Sequence, residues 1–503
     1  MLLIPCDHHS VLEQPTETKL REREQILKMT ALPRTITVPQ PETLPVFPGV
    51  SDHPALPEGF EVRAGRLFHR GLDLMTLINT PLEYQGQLTQ PATPMYVRRP
   101  ESLRDNFRQL HAWFEGAKAE IAYPGSLMVA FASKANPSQP VARTLLNAGA
   151  AYECSSNYDV EIVRHALAQG WISRSRPILA NGFKLPAYAR NLIRLRAEGF
   201  ANILPIFDDL EEIEPFAESG LHFEVGLRSR TDSDHTNRFG LSHEDMFLAA
   251  ARIAASGNLR LTTYHAMQTV SASKGFQYQS ALVNSLRRYA ALHRAFPTLH
   301  RFNFGGGLPG RTSGMNFEDW MWRTLQTIMA VCEEEGIPAP DLIIESGRYL
   351  VQDHAARFFR VVKTRMGDDG VAYYMIDGSI MSSFPDAWAL GDSFVVLPVN
   401  HWEGEFVPVR LAGLTCDHDD VYPTRKMDDV PLMLPADADE LIIGFFDCGA
   451  YQETLGGRGG AKHCILPEGS EVIVEEDEGA FEVTEYDPPQ SAAEVLCSLG
   501  YGL

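Results

Sequence analysis

The chain is short of cysteine, of cations and of long apolar runs, and each shortage removes a class of explanation. Its seven cysteines (Cys6, Cys154, Cys332, Cys416, Cys448, Cys464, Cys497) form no Cys-x-x-Cys pair. An odd, scattered set argues against a disulfide framework and for reduced thiols in a cytoplasmic protein, and no metal site is expected. Lysine and arginine total 44 against 65 acidic residues, a formal net charge of -21. That balance argues against nucleic acid or an anionic membrane as the main partner, and it attracts a cationic small molecule. No stretch approaches a membrane span, and the opening MLLIP is too short and too soon interrupted by Asp7, His8 and His9 to act as a secretion signal. What remains is an ordinary soluble composition, 44% hydrophobic and 22% charged, over 503 residues, which is enough for two domains.

Residues 1–60 read as a polar, proline-rich extension, with a helical segment expected over Glu17–Met29. Residues 61–101 hold short extended segments, Phe60–Val62 and Pro94–Val97, that pair with strands later in the chain. From 102 to 357 the pattern becomes regular. Strand-like apolar runs occur at Leu127–Ala132, Ala151–Ser155, Pro177–Ala180, Asn202–Phe207, His222–Leu227, Leu259–Tyr264, Arg301–Phe304 and Asp341–Ile344. Helical spacing fills the gaps, over Val141–Leu146, Val160–Ala168, Leu185–Leu195, Leu210–Ala217, Glu244–Ala255, Ala281–Phe296 and Phe317–Glu335. Eight strand–helix units of this length fit a closed (β/α)8 TIM-type barrel better than an open sheet. In residues 358–503 a GDDG turn at 367–370 joins the extended runs Phe358–Thr364 and Val371–Ile376, further extended runs follow, and helical spacing is nearly absent until Ala492–Ser498; this reads as a mostly β second domain, so the fold class is α/β.

In such a barrel the chemistry lies at the C-terminal ends of the strands. The strand ends here carry Lys134, Glu153 with Ser155, Asn181, Asp208, Arg228, His265, Gly305–Gly307 and Glu345. The run LMVAFASKAN at 127–136 places Lys134 where a buried strand opens to a cavity. Desolvation there is expected to make its amine a usable nucleophile toward a carbonyl. The alternative is a lysine that ends a strand and reaches into water. FNFGGGLPG places Gly305, Gly306 and Gly307 after the seventh strand, and Glu345-Ser346-Gly347-Arg348 ends the eighth. Loops after strands 7 and 8 are the usual phosphate site of this barrel. A phosphate site beside a strand-end lysine suggests pyridoxal 5'-phosphate, held as a Schiff base on Lys134, with Glu345 at the pyridine nitrogen and His265 against the ring.

FASKAN, YECSS, FNFGGG, ESGR, TCD and GAYQETLG occur in the order and spacing of the fold-type III pyridoxal-phosphate decarboxylases, which act on ornithine, arginine or diaminopimelate. The chain resembles that family over roughly residues 90 to 500. SIMSSFPDAWALGD at 379–392, with ESGR, TCD and GAYQETLG, is most similar to biosynthetic arginine decarboxylases of polyamine synthesis. The resemblance implies Lys134 as the cofactor lysine, His265 against its ring and Glu345 at its nitrogen. It further implies Gly307, Gly347, Arg348 and Tyr451 at the phosphate, with Glu153 and Arg228 nearby. Cys416 matches the cysteine that returns a proton to the substrate carbon, and Asp417 the acid that receives the substrate's distal cation. In the family both reach across a homodimer into the partner's site. Asp386, Asp392 and the acidic pair Asp419–Asp420 are further candidates for that cation. HAMQ at 265–268 departs from the family's His-x-Gly-Ser, so Gln268 stands where a small phosphate-binding residue is expected. The chain is also shorter than typical biosynthetic arginine decarboxylases and lacks their long helical insertion.

The implied activity is decarboxylation of a basic amino acid, L-arginine to agmatine and carbon dioxide, with ornithine, lysine and diaminopimelate as alternatives. A racemase of the same fold pairs the pyridine nitrogen with arginine, against Glu345. A non-catalytic regulator of the same fold loses the cofactor lysine or the cysteine, and both are present here.

Overall fold

A computed structural model describes residues 36–38, 56–230, 238–268, 271–458, 460, 463–477 and 479–502. The expected helix at Glu17–Met29 lies outside them.

Eight parallel strands close into a barrel: β1 (Leu127–Ala132), β2 (Ala151–Cys154), β3 (Ile178–Ala180), β4 (Ile203–Phe207), β5 (Phe223–Arg228), β6 (Leu259–His265), β7 (Arg301–Asn303) and β8 (Asp341–Ser346). Closure is the pairing of β8 with β1, where Glu345 lies beside Ala130. All eight coincide with the apolar runs of the sequence, because a strand covered by helices outside and side chains inside must be apolar on both faces.

The interior is layered. Ala130, Ala151, Leu179, Ile206 and Ile343 form an apolar floor inside the barrel. Strand side chains repeat every two residues, so Glu153, Asn181, Asp208 and Glu345 continue the same inward face one step higher. Period two alone therefore lifts the polar set to the C-terminal rim.

The eighth helix does not follow β8, where only the four-residue turn Arg348–Val351 forms. Its place is taken by a helix that precedes β1, Pro100–Ile121, packed between Phe317–Glu335 and Gln139–Ala148. Its buried face runs Leu103, Phe107, Leu110, Phe114, Ala117, a spacing of three and four, and its Trp113 stacks on Phe317. The eight strand–helix units read from the sequence are thus seven, plus one helix supplied from upstream.

The second domain is an 11-stranded sheet built around the twelve-residue strand Ala355–Met366. Its first half pairs with Met95–Arg98 on one side and Ile442–Phe446 on the other. Its second half forms the expected hairpin with Ala372–Ile376. Met95–Arg98 also pairs with Ser470–Asp477 and so joins the sheet as expected, whereas Phe60–Arg63 pairs with the adjacent Arg66–His69 in a separate three-stranded sheet. Short helices at Ile380–Ser383, Pro385–Leu390 and Gln452–Gly456 interrupt a region read as nearly all strand. Among the described residues no helix is long and apolar enough to cross a membrane.

Candidate active site

Lys134 does not sit on the strand itself but on the 3-10 turn Ser133–Ala135 that follows β1. Three neighbours lock that turn. Ser133 Oγ donates to Glu153 O and Asp159 Oδ1, both at 3.0 Å. Tyr451 N–H donates to Ala135 O at 2.7 Å. Asn136 Nδ2 donates to Gly449 O and Glu453 Oε2, both at 2.9 Å. The SKAN motif and the GAYQE motif are therefore one structure, bridging barrel and sheet.

The Lys134 side chain is exposed, contrary to the desolvation expected at a strand end. What surrounds its amine is charge rather than apolar cover. Glu153 and Glu345 flank β1 from the neighbouring strands, and the amine acts on both carboxyls.

The two carboxyls are pushed in opposite directions. Burial, then the charge of Glu345, push Glu153 up to about 7, against Lys134 and hydrogen bonds from Asn181 and Ser155. Burial also opposes ionisation of Glu345, but the charge that His265 carries when protonated, the amides of Asn181 and Asn303, and Lys134 outweigh it and hold that carboxyl below the usual range. Asn303 Nδ2 donates to Glu345 Oε1 at 2.7 Å. Burial pushes His265 down to about 4, so its ring is neutral near pH 7. The approach of His265 Nε2 to Glu345 Oε1 at 3.5 Å is a neutral ring against a carboxylate, and neither ring nitrogen has a hydrogen-bond partner among the described residues.

A raised carboxyl stabilises the fold only while protonated. For Glu153 that contribution is whole below the ordinary value of 4.5 and is lost as pH rises through about 7. In urea unfolding of the cofactor-stripped protein, wild type should lose up to about 3 kcal/mol relative to Glu153→Gln between about pH 4.5 and pH 7.5. A difference that stays constant over that range would contradict the assignment.

Lys134, Gly306, Gly307, Glu345, Gly347, Arg348 and Tyr451 line one cavity of about 430 Å³, with Met267, Gln268 and Ser271. Gly306 must be glycine: a Cβ there would lie 2.7 Å from the Glu345 carbonyl. Gly305 holds a φ of +71°, which a side chain disfavours. The buried Gln268 faces the cavity with Oε1 unpartnered among the described residues.

The donor set fits pyridoxal phosphate. An amine, an ionised carboxylate and a side-chain-free turn ring a volume suited to one small ligand. The departure at HAMQ is visible too, since Gly306 N–H points at Met267 Sδ, 3.5 Å away.

Several predicted residues already have partners within the chain. Arg228 Nη1 donates to Asp208 Oδ2 at 3.3 Å and the guanidinium lies over Phe239. Arg348 Nη2, expected at a phosphate, lies 3.2 Å from Asp386 and 3.6 Å from Asp392 and stacks on Tyr451. The two aspartates read as cation acceptors therefore already hold a guanidinium. Asp420 is buried and accepts from Ser379 Oγ, Met381 N, Thr415 N and Thr415 Oγ1, which makes it a loop anchor. Asp419 pairs with Arg425 at 2.8 Å. Cys416 and Asp417 do not line the cavity of their own chain.

The sequence reading missed Asn303, which holds Glu345, and Lys184, a fully buried amine that donates to Gly182 O and Ile206 O and faces Glu212. It also missed Cys464, whose sulfur lies 3.5 Å from Cys416 Sγ. Asn303 was findable as an inward residue at a strand end.

Residues 108–352 match the family described as pyridoxal-dependent decarboxylase, pyridoxal binding domain. Arginine decarboxylase 2 of Oryza sativa subsp. japonica is 22% identical, with 82% of each chain covered. The biosynthetic arginine decarboxylase of Phocaeicola vulgatus is 20% identical, covering 82% of this chain and 85% of its own. Among solved structures, the biosynthetic arginine decarboxylase of Campylobacter jejuni superposes with a TM-score of 0.74 at 19% identity, over 88% of this chain and 91% of its own. Diaminopimelate decarboxylase from M. jannaschii, in complex with L-lysine, superposes with a TM-score of 0.68 at 19% identity, over 87% and 97%.

Proposed function

We propose, from the match of residues 108–352 to the pyridoxal-binding domain of the pyridoxal-dependent decarboxylases, that the chain converts L-arginine to agmatine and carbon dioxide. One observation carries the reading: the Lys134 amine, the ionised Glu345 and the glycines Gly306 and Gly307 meet around a single cavity. Arginine stands ahead of ornithine, lysine and diaminopimelate because the relatives similar in sequence over more than four fifths of both chains are arginine decarboxylases, and the arginine decarboxylase structure superposes with the higher TM-score, 0.74 against 0.68.

Pyridoxal phosphate, when bound, supplies the sink for the electron pair left as the carboxylate departs. The chain's own residues do the rest. Lys134 holds the cofactor aldehyde on a turn fixed by Ser133, Ala135 and Asn136. Glu345, ionised and fixed by Asn303, offers a negative charge that keeps the pyridine nitrogen protonated. A neutral His265 adds a flat ring without adding a competing cation. The backbone of Gly306, Gly307, Gly347, Arg348 and Tyr451, with Gln268, would receive the phosphate.

Cys416 returns the proton to the substrate carbon, and Asp417 takes the guanidinium, both delivered from a second copy of the chain. Two features support delivery in trans. Both residues lie off their own chain's cavity, and the segments around them expose apolar side chains, Leu414, Ile465, Trp388 and Leu390, of the kind a partner covers.

Carbon dioxide release measured in parallel on arginine, ornithine, lysine and diaminopimelate tests the substrate. Arginine should exceed the others in kcat/KM by about 100-fold or more, because a shorter side chain without the planar guanidinium leaves the Asp417 carboxylate without its two-pronged partner. Release from another substrate with none from arginine rejects this reading.

A further inference from the structure

We propose that Cys416 and Cys464 form a thiol-modification site, at which a low-molecular-weight disulfide is reduced and the two side chains become linked. The residues are far apart in sequence and adjacent in space. Cys416 sits in the loop between the strands Phe406–Ala412 and Val421–Tyr422, and Cys464 precedes the strand Ser470–Asp477. Their sulfurs are 3.5 Å apart, and Cys416 N–H donates to Cys464 Sγ at 3.4 Å. Both side chains are exposed, whereas Cys154, Cys332 and Cys448 are buried. A disulfide needs sulfurs at about 2 Å, a closure of roughly 1.5 Å that side-chain rotation on two exposed loops supplies.

The neighbours assign the order of attack. His463 Nδ1 lies 3.3 Å from Cys464 Sγ, so an imidazole stands ready to take that proton. The Cys464 thiol beside it pushes the Cys416 thiol up from its ordinary value, which keeps Cys416 protonated and slow to attack an external reagent. Cys464 therefore attacks first. Its proton passes to His463, its sulfur bonds to one sulfur of the small disulfide, and the departing thiolate takes the proton from the imidazolium. Cys416 Sγ then attacks Cys464 Sγ, and the second small thiol leaves with the Cys416 proton. Two protein thiols are oxidised and one small disulfide becomes two thiols.

The effect on catalysis rests on the reading of Cys416 as the proton donor; the linkage itself does not. Closing the bond removes the S–H that returns the proton, so full closure should cost on the order of 100-fold in decarboxylation.

The experiment treats the reduced holoenzyme with oxidised glutathione, then maps unreduced peptides and measures activity before and after reductant. The expected result is a Cys416–Cys464 peptide with loss of two hydrogens, together with activity that falls and returns with reductant. Cys464→Ser should keep the reduced activity, form no internal link and resist oxidised glutathione, whereas Cys416→Ser should trap a glutathione adduct on Cys464. Linkage without loss of activity would uphold the modification site and sink the proton-donor reading of Cys416. Free thiols or adducts alone in the wild type, a link through Cys497, or loss of two hydrogens in Cys464→Ser would each overturn the proposal.

Discussion

Lys134→Ala is expected to lower kcat by roughly 10⁴-fold or more, the scale on which loss of a covalent-catalysis residue is measured, and to remove the visible band of lysine-bound cofactor. The geometry separates that loss from misfolding. The Lys134 side chain is exposed, and the turn that carries it is held through Ser133, the Ala135 carbonyl and Asn136, none of which the substitution touches. Unfolding free energy should therefore move by no more than about 0.5 kcal/mol, the usual range for a surface substitution. Removing the amine also removes the cation that favours ionisation of Glu153 and Glu345, so the variant should bind the cofactor more weakly without unfolding. A variant that keeps both the band and the rate would place the covalent amine elsewhere, and Lys184, buried at the same rim, would then be next to replace.

The barrel was legible because its strands are buried on both faces. That burial forces runs such as LMVAFA to be uniformly apolar, and polarity returns where the run ends. His265 and Glu345 could be read from the same change of composition at β6 and β8. Order in the chain is a poorer guide. Pro100–Ile121 has a good helical face, but its place in the barrel depends on the ring closing, which a linear reading does not show. Side-chain exposure was misread at Lys134, because the 3-10 turn after β1 carries the amine past the rim. The contacts hardest to see were those made by side chains distant in sequence. No spacing rule joins Cys416 to Cys464, or Arg348 to Asp386, since in each case loops of two different elements are brought together by the sheet rather than by local geometry.

Cys416→Ala should lower decarboxylation by about 100-fold or more, as loss of a positioned proton donor does, with the visible band intact. The band should survive because Cys416 does not line the Lys134 cavity of its own chain. The same fact makes the pair of inactive variants informative together. If each site in a twofold dimer takes Lys134 from one chain and Cys416 from the other, a hybrid of Lys134→Ala with Cys416→Ala contains one site with both residues and one with neither. Random re-pairing of equal amounts yields half hybrids, each with one working site of two, so about a quarter of wild-type activity should return on mixing. Recovery should track the hybrid fraction measured by native mass spectrometry, because the rescue belongs to that species alone. Hybrids that form without any recovery would mean that Cys416 serves the cavity of its own chain. The 415–420 loop would then have to swing toward Lys134 against the anchor Asp420 provides through Ser379, Met381 and Thr415. That anchor is buried and fully bonded, which is why delivery from the partner is the outcome this geometry favours.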